Sequence, residues 1–595
     1  MLMLAIGSGV AWLYAPTAGF DFVMFDDDIN LYQNPHLGDL TPERIRWAFA
    51  DRDYMHRFMP LGWLAWCGIL SARGLDPSAY HVANLVLHAV NAVLVAALVF
   101  QLLRLRQRRS GRECDPGPSA VLAGLAALLW AVHPLRVEVV AWSSGLLYLQ
   151  ATAWALVSGL CFIAAVQSCG RRNLLLQGAT IVTFALSVAT YPVALGWPFV
   201  FLALKLLPSA RAKSAAGGAG WVTPVVTFAV AILGVLAAVG ARVAVTSYWS
   251  APQGLTEFPL GERITRASFA LLHHVWGHLS FGPLTPVTEF FQVGSAGRLW
   301  LWPSVAIVAV GATALVCVAR HERWRGTVLW SLAFVGVSAP FLGVLDRSFE
   351  PADRYTYVPG VVLVAGLAAL LQTIRWRATP IFGGCGEHGR TAVWARWIAV
   401  AAAVSLGGAV PWLASRTREQ LSVWRHSDAL FAHVVAQLRH DPARGIYLAR
   451  HAVYRTRQGD DRGAAALMRQ AETLVRGPGD LNFYRDLNER LRTRSAAASD
   501  RPVPPAAVES LSLALHAART GNKAGADAHF GRTLRLAPTY FEARYDYALW
   551  LAREGRTGEA EQHRKLLAAA HGAFTPELQD RLDALLRPAP ARTGG

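Results

Sequence analysis

Long apolar runs recur through the first two thirds of the chain, and no other feature restricts its fold so strongly. A bilayer core is about 30 Å thick and takes roughly 17–25 helical residues to cross. Runs near that length, some a little shorter, lie at about 1–17, 80–103, 118–133, 139–167, 173–190, 191–207, 221–245, 299–319, 326–345, 356–374 and 394–414. In hydrocarbon a segment must satisfy its own backbone, so each run predicts a helix. The expectation is an all-α polytopic bundle of about eleven spans. The apolar stretch Phe58–Ser71 is too short to cross and predicts an interfacial helix. The first run has no charged region ahead of it and no small-residue cleavage site before Asp21, so it reads as a retained span and not a removed signal peptide. Composition agrees: 53% of the 595 residues are hydrophobic and 16% charged, which excludes disorder and is too apolar for a soluble protein of this size.

The net charge of +17 raises the question of nucleic acid. Its distribution answers it. Loops at Arg104–Arg112, Arg171–Arg172, Lys205–Lys213, Arg320–Arg325 and Arg375–Arg396 hold 17 Lys/Arg, with four acids in or beside them. The opposite loops, 20–79, 133–138, 246–298 and 346–355, hold 11 Lys/Arg and 16 Asp/Glu. The positive-inside rule makes the first set cytoplasmic, and the chain then leaves the membrane after Leu413 on the outer side. The basicity is topological, and no aromatic-interleaved patch for nucleic acid is present. Six cysteines show neither paired nor metal-ligand spacing, so no disulfide framework or zinc site is expected.

From Arg416 onward helix-period patterns replace the apolar runs. Gly521 aligns with Gly555 and Ala526 with Ala560, both at the 34-residue period of tetratricopeptide repeats. The sequence therefore predicts a membrane domain over 1–414 and a tetratricopeptide-like α-solenoid over 415–595. A generic bundle of helical hairpins is the plainer alternative. Either form suits partner binding better than catalysis.

Three ionisable clusters fall on the expected outer face, where charges beside a bilayer are costly to keep. Asp26-Asp27-Asp28 follows the first span, and mutual repulsion raises at least one carboxyl toward a usable base. It could equally be a solvated charge run or a helix cap ahead of Ile29. His133, Arg136 and Glu138 end the third span, where an interfacial Arg136–Glu138 anchor is the competing reading. Arg354, beside Tyr355 and Tyr357, suits a phosphate at the membrane surface, or else an aromatic belt with a snorkelling arginine. His81, Asn84, His88 and Asn91 put a polar stripe on the second span, which reads slightly better as interhelical hydrogen bonding than as a substrate cavity. His273, His274 and His278 have partial metal-ligand spacing without a carboxylate.

The segments FDDDINLYQNP, MPLGWL, GLDPSAYHVANLVLHAVNAVL, AVHPLRVEVVAW and ADRYTYVP, then Trp424 and the repeats, together resemble one family. It is the multi-spanning, tetratricopeptide-bearing glycosyltransferases of the GT-C fold, whose animal relatives are O-mannosyltransferases. The resemblance runs from about residue 20 to 570. It implies that Asp26 and Asp27, an acidic pair in the first outer loop, form the catalytic site and that the donor is a polyprenyl-phosphate sugar. Where bacterial relatives carry a charged patch, this chain reads Ser143-Ser144-Gly145-Leu146-Leu147-Tyr148; where they read Ser-Lys-Pro, it has Thr190-Tyr191-Pro192. Those departures leave open a different donor or a degenerate enzyme.

The reading that follows is a membrane glycosyltransferase acting on a protein or glycan hydroxyl at the outer face, with inversion. Asp26 or Asp27 is the base, Arg354 and then Arg136 meet the leaving phosphate, and His133, Glu138 and Tyr357 complete the substrate site. Carboxylate oxygens suit magnesium or manganese, and nothing in the sequence demands a metal. The Arg/Ala/Gly-rich usage fits a bacterial inner membrane, with the repeats periplasmic. The rival readings are a non-catalytic envelope scaffold and, ranked last, a proton-relay transporter, because the spans after the first carry almost no acids near mid-membrane.

Overall fold

The computed structural model describes residues 1–32, 36–50, 58–110, 116–206, 260–279, 284–287, 295–321, 324–343, 351–377, 408–438, 443–458, 460–474, 522–538, 540–568 and 576–586, with Asn34, Arg485, Asn488 and scattered residues over 507–518. Among them every regular element is helical. Six helical segments are long and apolar enough to cross a membrane: Leu2–Gly19, Pro77–Arg109, Ser143–Val166, Gly170–Thr190, Trp302–Ala319 and Asp353–Gln372. A seventh, Pro116–Ala131 with Pro134–Ala141, is bent by 61°. The chain is thus an integral membrane protein. The run at 221–245 and most of that at 394–414 lie outside the described residues.

The described chain divides into two compact units. The first comprises Met1–Val23 and Gly38–Gln437. Its helices are α1 (Leu2–Tyr14), α2 (Pro42–Ala50), α3 (Pro60–Arg73), α4 (Pro77–Arg109), α5 (Pro116–Ala131), α6 (Val137–Ala141), α7 (Leu146–Val166), α8 (Gly170–Thr190), α9 (Trp197–Leu206), α10 (Leu260–Trp276), α11 (Ser295–Ala319), α12 (Arg325–Ser338), α13 (Tyr357–Arg377) and α14 (Ser427–Gln437). Proline sets several boundaries, because it removes an N–H and disfavours helix at the residue before it. Pro134 ends α5 and bends the third span. Pro192 interrupts the sixth run with a 3-10 turn before α9, and Pro340 stops α12 at Ser338, short of the run at 326–345.

Helix α4 is the hub, packing on α1, α5 and α7. The Asp76 side chain caps its start by accepting from the Ser78 N–H at 3.0 Å, and Arg106, Arg108 and Arg109 sit in its last turn, where the dipole favours cations. Its 33 residues span about 50 Å, longer than hydrocarbon requires. The polar stripe is buried and serves the fold. Asn84 donates to the carbonyls of Val140 (3.3 Å) and Trp142 (2.7 Å) where α6 ends. His81 meets the Ser143 hydroxyl (3.2 Å) and the Asp21 carbonyl (3.3 Å), and Asn91 donates to the Leu149 carbonyl (2.9 Å). Ser143 and Ser144 are buried in a 3-10 turn against this stripe.

The second unit comprises Met24–Leu37 and Leu438–Gly595. Its helices are α15 (Ala443–Arg457), α16 (Asp461–Leu474), α17 (Lys523–Leu536), α18 (Phe541–Arg553), α19 (Thr557–Ala568) and α20 (Pro576–Leu586). They pack as hairpins, α15 on α16 and α18 on α19, with α17 against α18. The small residues aligned at 34-residue spacing do what close packing asks of them: Ala526 and Ala560 are fully buried, beside Ala543, Ala548 and Phe530. Gly521 lies outside the described residues, and Gly555 occupies the turn between α18 and α19.

Gly145 lets the chain turn from α6 into α7. A Cβ there would lie 2.0 Å from the Val139 carbonyl oxygen, whereas one at Gly9 would meet nothing within 4 Å. Gly145→Ala should therefore destabilise the protein by about 1–3 kcal/mol through overpacking, and Gly9→Ala should leave it unchanged. Thermal melting of both variants in detergent checks the contrast; equal midpoints would contradict it.

Candidate active site

Glu138 and Arg354 form a buried ion pair in the first unit. Glu138 opens the short helix α6, where the dipole favours a carboxylate, and is 3% exposed. Its Oε1 accepts from Arg354 Nη1 at 2.6 Å and its Oε2 from the Arg354 backbone N–H at 2.8 Å. The guanidinium also donates to the Tyr355 hydroxyl (3.2 Å) and lies over the Tyr355 ring (4.7 Å) and the Trp142 ring (5.9 Å). Both carboxylate oxygens are thus taken, and the charge of Arg354 is already balanced.

Arg136 is in the opposite state. It is fully buried, yet among the described residues no carboxylate pairs with it. Its Nη1 donates to Thr356 Oγ1 (3.3 Å) and its Nη2 to His278 Nε2 (2.7 Å), and the guanidinium lies 5.7 Å from the Trp130 and Tyr357 ring centres. Room for it comes from Gly360, where a Cβ would stand 2.5 Å from Arg136 Nη2 and 2.8 Å from His278 Nε2. His278 Nδ1 faces the His274 carbonyl at 2.7 Å, so that nitrogen carries the proton and Nε2 is the acceptor for Arg136. His133 caps the next turn, its Nδ1 accepting from the Leu135 N–H (3.3 Å), which leaves the proton on Nε2. That Nε2–H and the Nε–H of Arg136 are buried without an acceptor among the described residues, and the His133 and His278 ring centres are 5.6 Å apart. The cluster holds one uncompensated positive charge and two unsatisfied donors.

Tyr357 belongs to the packing network of α4. Its hydroxyl donates to His88 Nδ1 (2.8 Å) and accepts from Asn91 (3.3 Å), while His88 Nε2 donates to the Ala131 carbonyl (3.1 Å). The phenol has no hydrogen left for a phosphate, so its contribution to this site is its ring beneath Arg136. The structure brings His133, Arg136 and Tyr357 together and sets Glu138 with Arg354 beside Asp353. The sequence marks His278 only through partial metal-ligand spacing with His274, and it does not mark Thr356 at all. No signal short of the fold pairs either with Arg136.

Asp26, Asp27 and Asp28 lie in the second unit. Asp27 has no exposed surface, and Asp26 is the one non-glycine residue with positive φ among those described, at +74°. Asp tolerates that left-handed conformation better than most side chains. The Asn30 N–H donates to the Asp26 carbonyl at 2.8 Å, an α-type turn that leads into the π turn over Asp28–Tyr32. Asp28 is half-buried rather than solvated; burial raises its carboxyl, and Arg450 and Arg457 oppose the rise.

Among the described residues no three His, Cys, Asp or Glu side chains converge to hold a metal ion. Glu138 has spent both oxygens on Arg354, so the cluster does not fit magnesium or manganese, and no step is derived through a metal.

No family model matches the chain, and no solved structure matches it. A stretch of 191 residues is 31% identical to the human protein O-mannosyl-transferase TMTC4. That match spans 30% of this chain and 25% of the length of that protein.

His274 is fully buried, with neither ring nitrogen hydrogen-bonded among the described residues. Burial, and then the neighbouring His273, push it down from 6.5 to about 3. The unfolded chain takes up a proton that the folded protein refuses, so stability is complete above pH 6.5 and falls as pH drops below it. At pH 5 the loss for this group alone is about 2 kcal/mol. His274→Leu should flatten the fall in melting temperature between pH 7 and pH 5; a slope equal to the parent's would remove His274 as its source.

Proposed function

We propose that the chain is a membrane glycosyltransferase of the GT-C type that moves one sugar from a polyprenyl-phosphate donor to an acceptor hydroxyl, with inversion. Arg136 carries the reading: a buried cation with no carboxylate partner among the described residues, flanked by unsatisfied donors, is balanced when an anion binds. Guanidinium pairs bidentately with phosphate, and fixed donors at a leaving group stabilise the charge that develops there. Arg354, neutralised by Glu138, orients the loop before α13 and is the weaker candidate for the phosphate. The partial likeness to an O-mannosyl-transferase supports a transferase, and the apolar helices suit a lipid-linked donor.

In this scheme Asp26 or Asp27 accepts the proton of the acceptor hydroxyl. The oxygen forms a bond to the anomeric carbon from the face opposite the phosphate, and the carbon–phosphate-oxygen bond breaks with its electron pair leaving on polyprenyl phosphate. Residues 1–414 form the membrane domain, of about eleven spans, and 415–595 a tetratricopeptide-like domain that presents a protein or glycan acceptor. The site and that domain face the periplasmic side of a bacterial inner membrane.

The test uses full-length protein in detergent, polyprenyl-phosphate mannose and a serine- and threonine-bearing peptide, mannose because the relative is named for it. A carboxylate base contributes about 10²–10⁴-fold, so Asp→Asn at the true base, Asp26 or Asp27, should cut turnover by about that factor with donor affinity little changed. Arg136→Gln should weaken donor binding as well as turnover. Parental activity in both aspartate variants would make the acid run structural and leave the scaffold reading as the better one. For orientation, a phosphatase reporter fused at Arg416 should be active and one at Gly111 silent; the reverse would place the domain in the cytoplasm.

A further inference from the structure

The acidic segment Met24–Leu37 is folded into the unit built from the C-terminal helices. Its partner there is α15, which presents Tyr447, Arg450, Tyr454 and Arg457 at spacings of three, four and three, one face of a helix. Phe25 stacks on Tyr447, ring centres 6.4 Å apart. The Arg450 guanidinium lies over both rings, at 5.7 and 5.6 Å, and its Nη2 donates to the Met24 carbonyl at 3.2 Å. Arg457 Nη1 reaches Met24 Sδ at 3.4 Å. Met24 and Phe25 directly precede the three acids, so these contacts fix where the acidic run begins. Beyond them the chain turns through the left-handed Asp26 into the π turn. The charged groups facing Asp28 are Arg450 and Arg457 of α15 and Asp26 of its own segment; Tyr32 lies near Asp27, Asp28, Arg457 and Tyr454.

We infer that Arg450 and Arg457 are positioning residues for the Asp26–Asp28 carboxylates, so that the C-terminal unit takes part in the transfer by holding its acids in place and in charge, beyond presenting an acceptor. The inference rests on the proposed reading for its chemistry and on the contacts above for its geometry. Asp28 is half-buried beside the Asp26 carboxylate, and both effects favour its protonation. Arg450 and Arg457 oppose both at Asp28. A protonated acid accepts no proton, so these arginines decide at what pH the segment works.

The test has two readouts on full-length protein in detergent, for the parent, Arg450→Gln, Arg457→Gln, Arg450→Lys and Arg457→Lys. The first is hydrogen exchange of the peptide covering 24–37 between pH 4 and 8, corrected for the intrinsic rate. The second is the pH profile of kcat for transfer from polyprenyl-phosphate mannose to the same peptide acceptor. Removing a cation raises a nearby carboxyl pKa. Each Gln variant should therefore move the pH at which protection is lost, and the acid limb of kcat, upward by about one unit, with KM for the donor unchanged. The Lys variants keep the charge and should stay near the parent. A parent that protects the segment with the expected shifts but transfers no sugar would overturn the reaction and leave the positioning intact. Gln variants with unshifted midpoints and an unshifted acid limb would overturn the inference. So would a uniform loss of activity at every pH that Lys does not rescue, because the contacts would then be packing alone.

Discussion

A helix that breaks among tightly packed apolar helices strands backbone carbonyls, and the first unit depends on how those carbonyls are satisfied. The third span bends at His133-Pro134 and its short continuation ends at Trp142, so the α-helical ladder is interrupted twice between Ala131 and Leu146. Asn84, His88 and Asn91, along one face of α4, donate to the carbonyls of Ala131 and Val140 at the breaks, and also to those of Trp142 and Leu149. Each donor lies on a long, well-capped helix, so the broken segment takes its geometry from a rigid rod. Only because the segment is held this way can Arg136 and Glu138 project from it as a fixed pair of opposite charges.

Those two charges have unlike neighbours, and the difference organises the cluster. Glu138 finds Arg354 and a backbone N–H, which closes its account with solvent. Arg136 finds a hydroxyl, an imidazole and two aromatic faces, none of them negative. A protein that loses water around a guanidinium without replacing the lost anion keeps an electrostatic deficit, and such a deficit favours any anion of the right size. The ring of Tyr357 below and the small Gly360 beside it shape the space, while the tautomer of His278 is fixed by the His274 carbonyl.

Much of this fold is legible locally. Apolar length marks α4, α7, α8 and α13, because crossing a bilayer is a constraint on consecutive residues. The three- and four-residue spacing of His81, Asn84, His88 and Asn91 likewise foretells a bonded face. The ends are less legible: α4 runs past the apolar limit at 103 to Arg109, since arginine and glutamine are good helix formers in the polar region beyond. Least legible are the partnerships between distant residues. Arg136 and His278 are 142 positions apart, and Arg450 reaches Met24 across 426. No local pattern encodes them, because each depends on the path of everything between. The acid run reads correctly as a cluster of carboxylates, but its neighbours, and the burial of Asp27, come only with the fold.

The long reach of the acidic segment has a consequence for how the protein is made. Residues 24–37 leave the ribosome early, and the helix that receives them is completed more than 400 residues later. At about 5–20 residues per second, that interval lasts on the order of 20–80 s. Throughout it the membrane helices can insert and pack while the acids wait without their arginines. A product truncated before α15, however well inserted, leaves the segment unseated, so biosynthesis itself withholds the finished acidic site until about three quarters of the chain has been translated.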